Sequence, residues 1–269
     1  MVPYKHKVVG FLFLASASWV QATPSQIFSA EANVAFAITA PLTAERQRFL
    51  NLFDNTVQSY GFESKTAGQA PPFEASFSGS AGSTITATLA GSAGQQVMDL
   101  GESGRYNTTA NLAAGEPGKY WRVNASGSGE FSISFSRNIS AFGFYGTDIG
   151  DFGGILSLVL TPANTTLPLE SLTVRPLTGS AASNGVAMFY GFADANRAYS
   201  KITFVTSGTL LAGSTSDYFG FDDFVVADAG QFIGTTPPGI PEPGSLALTG
   251  LALFAAASAA RGRKARKAA

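Results

Sequence analysis

The sequence predicts an all-β fold, an antiparallel β-sandwich of the jelly-roll type with an apolar helix at either end of the chain. Three observations predict it. Short segments rich in β-branched and aromatic side chains alternate with period two between residues 59 and 228. About ten such segments follow one another with no helical stretch between them, cut only by Gly, Ser, Asn and Pro turns. The chain of 269 residues carries 22 Phe and only 13% charged residues, about half the usual charged fraction, so apolar material for a sizeable core is plentiful.

Residues 1–22 read as a secretory signal peptide. Lys5, His6 and Lys7 make a cationic start, Val8 to Val20 an apolar run, and Val20-Gln21-Ala22 offers small residues ahead of a cleavage point. Thirteen apolar residues rising ~1.5 Å each fall short of a ~30 Å bilayer core, which favours removal over anchoring. Residues 23–58 follow as an N-terminal segment with one short helix over Leu42–Phe53. Thr43 is its expected N-cap, and Leu42, Phe49, Leu50 and Phe53 recur at near-helical spacing.

Residues 59–228 are the sandwich. Strands are expected at Phe73–Ser78, Ser83–Leu89, Lys119–Asn124, Gly129–Ser136, Ser140–Gly146, Ile155–Leu160, Glu170–Arg175, Val186–Ala193, Tyr199–Thr206 and Phe219–Ala227. Phe131, Ile133 and Phe135 alternate with serines, as a strand with one solvated face requires. Phe142 and Phe144 repeat the pattern, and the many Phe side chains are read as core, not as a ligand platform. Residues 90–118, rich in Gly, Ala and Ser, read as a long loop. Residues 229–240 form a linker, and 241–267 a terminal signal of motif, membrane helix and basic tail.

Composition excludes much chemistry. There is no Cys, and the single His lies in the signal peptide. The processed chain therefore has no Ser/His/Asp triad, no Cys nucleophile and no zinc site built on His or Cys. No glycine-rich loop leads into Lys-Ser/Thr to cradle phosphate, and the one basic cluster is the terminal tail, so nucleic acid is not an expected partner. The region between the two ends holds ten basic and seventeen acidic residues, a formal charge of −7 hidden inside a whole-chain value of −1.

The C-terminus carries the most specific signal. Pro241-Glu242-Pro243 precedes the apolar stretch Ser245–Ala260, and Arg261, Arg263, Lys264, Arg266 and Lys267 follow it. The sixteen-residue stretch would rise ~24 Å as a helix, short of a full bilayer, with snorkelling cations making up part of the difference. The basic residues set the tail inside and the bulk of the chain outside. Residues 239–267 together resemble the PEP-CTERM sorting signal of Gram-negative bacteria, and residues 141–154 resemble a block recurrent in exported proteins that carry it. The resemblance implies exosortase, a membrane-embedded Cys-dependent transpeptidase, as partner. It also implies an inner-membrane-anchored intermediate, final delivery to the cell surface or beyond, and a link to extracellular polysaccharide and biofilm.

Within the sandwich, Gly61-Phe62-Glu63 and the closing Phe219–Val226 strand with Asp222 and Asp223 are similar to the two ends of galactose-binding-like jelly rolls. That resemblance implies a structural Ca²⁺ held by Glu63 and Asp222, with Asp223 as third ligand; hard Ca²⁺ takes six to eight oxygens, which few other groups here supply. The alternative is one Asp in solvent and the other capping a turn. Asp148 and Asp151 sit in an acidic, glycine-rich loop better suited to Asx-turns than to metal. For glycan contact, Trp121 and Tyr120 are the first candidates and Tyr145, Tyr190 and Tyr218 the next; alternation puts Tyr120 and Trp121 on opposite faces, so one belongs to the core. The sequons at Asn107, Asn124, Asn138 and Asn164 fall in Asn/Ser/Thr-rich turns and carry no role in a bacterial chain.

The function expected from these readings is a non-enzymatic exported protein, structural or adhesive within extracellular polysaccharide. A carbohydrate-binding module of jelly-roll type is the alternative. A carboxylate-dependent hydrolase would need two acids about 5–10 Å apart in a cleft, which a sequence does not display.

Overall fold

The structure is a computed structural model that describes residues 26–35, 38–91, 94–99, 118–124, 130–149, 154–174, 186–208 and 218–234. The expected signal peptide, the Pro-Glu-Pro motif, the apolar C-terminal stretch, the basic tail and Asp151 lie outside the described residues. Among the described residues no helix is long and apolar enough to cross a membrane.

Strands and one helix follow in the order β1 (Gln26–Ala35), α1 (Ala40–Leu50), β2 (Ser59–Tyr60), β3 (Phe73–Ser78), β4 (Thr84–Gly91), β5 (Gln96–Asp99), β6 (Lys119–Asn124) and β7 (Phe131–Ile139). They continue as β8 (Ala141–Thr147), β9 (Gly154–Pro162), β10 (Glu170–Val174), β11 (Val186–Ala193), β12 (Tyr199–Gly208) and β13 (Tyr218–Ala227). A seven-stranded sheet runs β1-β11-β8-β13-β6-β5 with β2 also on β13, and a six-stranded sheet runs β10-β9-β12-β7-β4-β3. Consecutive strands from β6 to β9, and again from β10 to β13, alternate between the sheets, so the two layers are woven into one antiparallel sandwich.

Phenylalanine fills the space between the layers. Phe131 stacks on Phe204 with centroids 3.9 Å apart, and Trp121 packs on Phe131 at 4.3 Å. The strands that supply these rings follow the predicted alternation: in β3 Phe73, Ala75 and Phe77 are buried while Glu74 and Ser76 are exposed. All ten expected strands are present.

The seven-stranded sheet departs from that alternation. Every residue of β8 is buried, because its second face lies under α1 and the segment that follows. Phe49 is the centre of this second core, meeting Phe28, Phe53 and Phe189 at 5.3, 5.1 and 5.7 Å. Gly143 and Gly191 are cross-strand partners beneath it. A Cβ on Gly143 would stand 2.9 Å from the Phe49 ring, and one on Gly191 3.2 Å, so the pair forms a notch only glycine leaves open.

Several boundaries move. The helix spans Ala40–Leu50, not Leu42–Phe53, and Thr39 in extended conformation takes the cap position with Pro41 in the first turn. Proline fits the start of a helix because its missing N–H has no partner there. Thr43 lies inside the first turn, its hydroxyl donating to the Thr39 carbonyl at 3.3 Å. β1 makes residues 26–35 part of the seven-stranded sheet, so the sandwich begins well before residue 59. Its buried positions are Phe28, Ala30 and Ala32, and the small alanines weaken the signature of a strand. β5 occupies part of the expected 90–118 loop, pairing Val97 with Trp121. Phe232 packs on Phe53, and the Ile233 N–H reaches the Leu52 carbonyl, so the fold runs past residue 228 before the linker starts.

Candidate functional site: a polar cleft beside the helix

The first two residues expected to contact glycan are buried. Trp121 is fully buried between the sheets, its indole N–H without a hydrogen-bond partner. Tyr120, on the opposite face of β6, is buried as well. A ring enclosed on both faces offers no platform to a sugar, which corrects both assignments. Tyr190 is also buried, and desolvation pushes its hydroxyl up to about 12. Tyr218 is partly exposed, but the Arg122 guanidinium already covers its ring at 4.6 Å.

Two of the three proposed calcium ligands have other hydrogen-bond partners. Asp222 is fully buried on β13, opposite Tyr145 of β8, and its Oδ1 accepts the Asp223 N–H at 2.8 Å. Glu63 sits in the single turn after β2, where its Oε1 accepts the Lys119 N–H at 2.9 Å. Lys119 Nζ in turn donates to the carbonyls of Glu63 and Lys65 at 2.8 and 2.6 Å. Among the described residues no three Asp, Glu, His or Cys form a metal-holding group. The residues do not fit a calcium site: one Glu63 oxygen accepts the Lys119 N–H, Asp222 Oδ1 accepts the Asp223 N–H, and the Arg46 guanidinium lines the same cleft as Asp223.

Glu63 and Asp223 do share a cleft. It lies where α1, β2, β8 and β13 meet and holds about 530 Å³, within the range of small-ligand sites. Thr43, Ser59 and Ser64 bring hydroxyls to its wall, Tyr60 and Tyr145 bring phenol groups, and Arg46 supplies a cation. Arg46 comes from the polar side of α1, while Leu42 and Phe49 of the same helix are buried in the second core. Its Nη2 donates to Ser59 Oγ, its guanidinium lies 5.7 Å from the centre of the Tyr145 ring, and its Nε is buried without a partner.

Asp223 reaches the cleft through an irregularity. The register between β13 and β8 slips between Asp222 and Val225, and Asp223 itself adopts φ +50°. A bulge of this kind inserts one residue and re-aims its side chain while the flanking positions keep their faces. Phe221 and Phe224 on either side both point into the inter-sheet core. Asp223 is 7% exposed. Burial raises its carboxyl above the ordinary aspartate range, with Arg46 opposing the shift and Glu63 adding to it. Burial likewise raises the Tyr145 hydroxyl.

A second cleft of about 370 Å³ adjoins the first, the two sharing Ser59 as a common wall. Its lining is hydroxyl-rich and uncharged, with Thr56, Ser76, Ser78, Ser83 and Thr84. A buried ionic group also surrounds Tyr199. Tyr199 Oη lies 3.1 Å from Glu170 Oε2 and 3.4 Å from Asp194 Oδ2, Arg197 pairs with Glu170, and Asp194 Oδ1 accepts the Asn196 N–H. Asp148 is buried with φ +63°, a turn conformation that Asp tolerates.

No protein-family model matches the chain, and no curated protein matches it. Among solved structures, the K2 cleaved adhesin domain of Lys-gingipain is similar at 12% identity and a TM-score of 0.34, over 64% of this chain and 98% of that one. TmCBM61, solved in complex with beta-1,4-galactotriose, shows 13% identity and a TM-score of 0.28, over 65% and 97% of the two chains. The family 11 carbohydrate-binding module of the cellulosomal cellulase Lic26A-Cel5E of Clostridium thermocellum shows 10% identity and a TM-score of 0.27, over 60% and 97%. Likenesses this distant say nothing of ligand or role.

Proposed function

We propose that the chain is an exported, non-enzymatic surface or matrix protein. Exosortase sorts it at Pro241-Glu242-Pro243 to the cell surface or beyond, and its jelly-roll-type sandwich binds sugar units of extracellular polysaccharide. The observation that carries the binding role is the cleft beside α1. A sugar offers hydroxyls that both donate and accept, and here carboxylates accept, a guanidinium donates and three hydroxyls do either. The sorting role is supported by the order of motif, apolar stretch and basic cluster at the C-terminus.

Co-sedimentation of the full chain with polysaccharide from the producing cells tests the binding role. Wild type is expected to bind, and Glu63→Gln or Ser59→Ala to weaken it by about tenfold, or 1.4 kcal/mol. Equal binding by both variants would remove the cleft from the reading. Mass spectrometry of the exported protein tests sorting, with loss of the tail beyond the motif expected; an intact tail in the membrane fraction would overturn it.

One observation favours a second reading. A carboxyl kept above its usual range and sharing a cleft with a second carboxylate is the arrangement of a glycoside hydrolase acid and its partner. Release of new reducing ends from the bound polysaccharide, lost in Asp223→Asn, would turn the module into an enzyme.

A further inference from the structure

The cleft is unbalanced in charge, and the imbalance is specific. Two carboxylates, Glu63 and Asp223, face one guanidinium, Arg46, whose Nη2 is already engaged with Ser59. Glu63 retains one oxygen free of the Lys119 N–H. Asp223 is 7% exposed and lines the cleft, and the hydrogen bond it makes to Asp222 is through its backbone N–H, not its carboxylate. A carboxylate that faces a cleft with no donor from the chain can take one from a ligand. The adjoining cleft across Ser59 differs, offering hydroxyls and no charge. A ligand complementary to both has a cationic group at one end and a neutral, hydroxylated body at the other.

We propose that this cleft, taken as the sugar site described above, recognises an aminated sugar within a linear polymer. The ammonium group is held between Asp223 and the free oxygen of Glu63, and the next sugar lies along the Ser/Thr cleft beyond Ser59. An ammonium donates up to three hydrogen bonds and accepts none, which matches two carboxylates and mismatches a uronic acid. The region between the two ends of the chain agrees, since its formal charge of −7 attracts a polycation and repels a polyuronate.

Three tetramers of similar length separate the outcomes: glucosamine, N-acetylglucosamine and galacturonate. Each is titrated into the detergent-purified full chain by calorimetry, at neutral pH and low salt. The glucosamine tetramer is expected to bind about tenfold or more tightly than the acetylated one, and the galacturonate tetramer not at all. Asp223→Asn keeps the shape and the left-handed backbone, and should erase the preference for the amine while retaining weak binding of the acetylated tetramer. Glu63→Gln should reduce the preference in the same direction, and the melting midpoint of each variant reports its folding. Equal affinity for the amine and its acetylated form, or a preference that survives both substitutions, would overturn this inference and leave sugar binding standing. Failure of all three tetramers and of the native polysaccharide would overturn both.

Discussion

The two outer faces of the sandwich are built from the same alternation and end in opposite environments. On the six-stranded sheet the alternate positions are hydroxylic, with Thr86 and Thr88 of β4, Ser132 and Ser134 of β7 and Thr203 of β12 partly or fully open to water. On the seven-stranded sheet the equivalent positions are Ala141, Gly143 and Tyr145 of β8 with Ala187, Phe189 and Gly191 of β11, and all are buried under the helix. Small apolar residues where serine or threonine would suit a wet face are the mark of a covered one. The candidate site opens where that cover ends, between α1 and the bulge in β13.

Truncating the cover should have the largest effect. Phe49→Ala removes the ring that three other Phe side chains surround, and is expected to cost about 3–5 kcal/mol in denaturant melts. Should Phe49→Ala melt like wild type, the second core has no energetic weight and the contrast between the faces collapses.

Filling the notch comes next. Gly143→Val places atoms within 2.9 Å of the Phe49 ring, and overpacking of this kind costs about 1–3 kcal/mol. Gly191→Ala, at 3.2 Å, should be milder. A neutral result for Gly143→Val would mean that the helix is free to shift.

Asp228 tests the tie between the sheets. Its carboxylate accepts the Gly230 N–H after β13 and both the N–H and hydroxyl of Ser80 in the turn between β3 and β4. Asp228→Ala is expected to lose about 1–2 kcal/mol, more than an isolated cap of this size gives through its own turn alone.

Asp223→Asn should act in the stabilising direction. Burial raises the folded carboxyl above its unfolded value, so the ionised form is the one the fold penalises. The wild-type group is fully tolerated below the ordinary aspartate range and becomes unfavourable as pH rises through the raised value. The variant should therefore melt higher than wild type at neutral pH, with the gap closing as the pH falls towards 4, near the ordinary aspartate value. A gap that widens in acid would reverse the assignment of burial as the dominant cause. Smallest of all, Ser134→Ala on the exposed face should change stability by no more than about 0.5 kcal/mol.

Strands were legible wherever large residues alternate with polar ones. β3 and β6 appear with the boundaries their patterns imply, because each residue's face is written in its own chemistry. β1 was not, since Ala30 and Ala32 bury as fully as larger residues would while signalling little. β5 was hidden by its glycine-rich surroundings, and its pairing with β6 is a long-range contact no local pattern contains. For the site, Glu63, Asp222 and Asp223 stood out through their resemblance to the ends of jelly rolls in a chain poor in charge, and Glu63 and Asp223 line the cleft. Calling them metal ligands failed because Arg46 lies on a helix, and helix placement against a sheet is a tertiary fact. Trp121 stood out by rarity alone, and a scarce large aromatic is as useful to a core as to a binding face.

The way the chain leaves the sandwich has a mechanical consequence. Between Gly234 and the body of the fold, the Phe53–Phe232 bridge and the Ile233 N–H bond to Leu52 come first, and behind them stands β13. That strand is interior, hydrogen-bonded to β8 on one side and to β6 and β2 on the other. Tension applied at Gly234 would thus be delivered first to a small sacrificial clasp and then to a strand gripped from both flanks. An edge strand would peel bond by bond; this one must tear two ladders together.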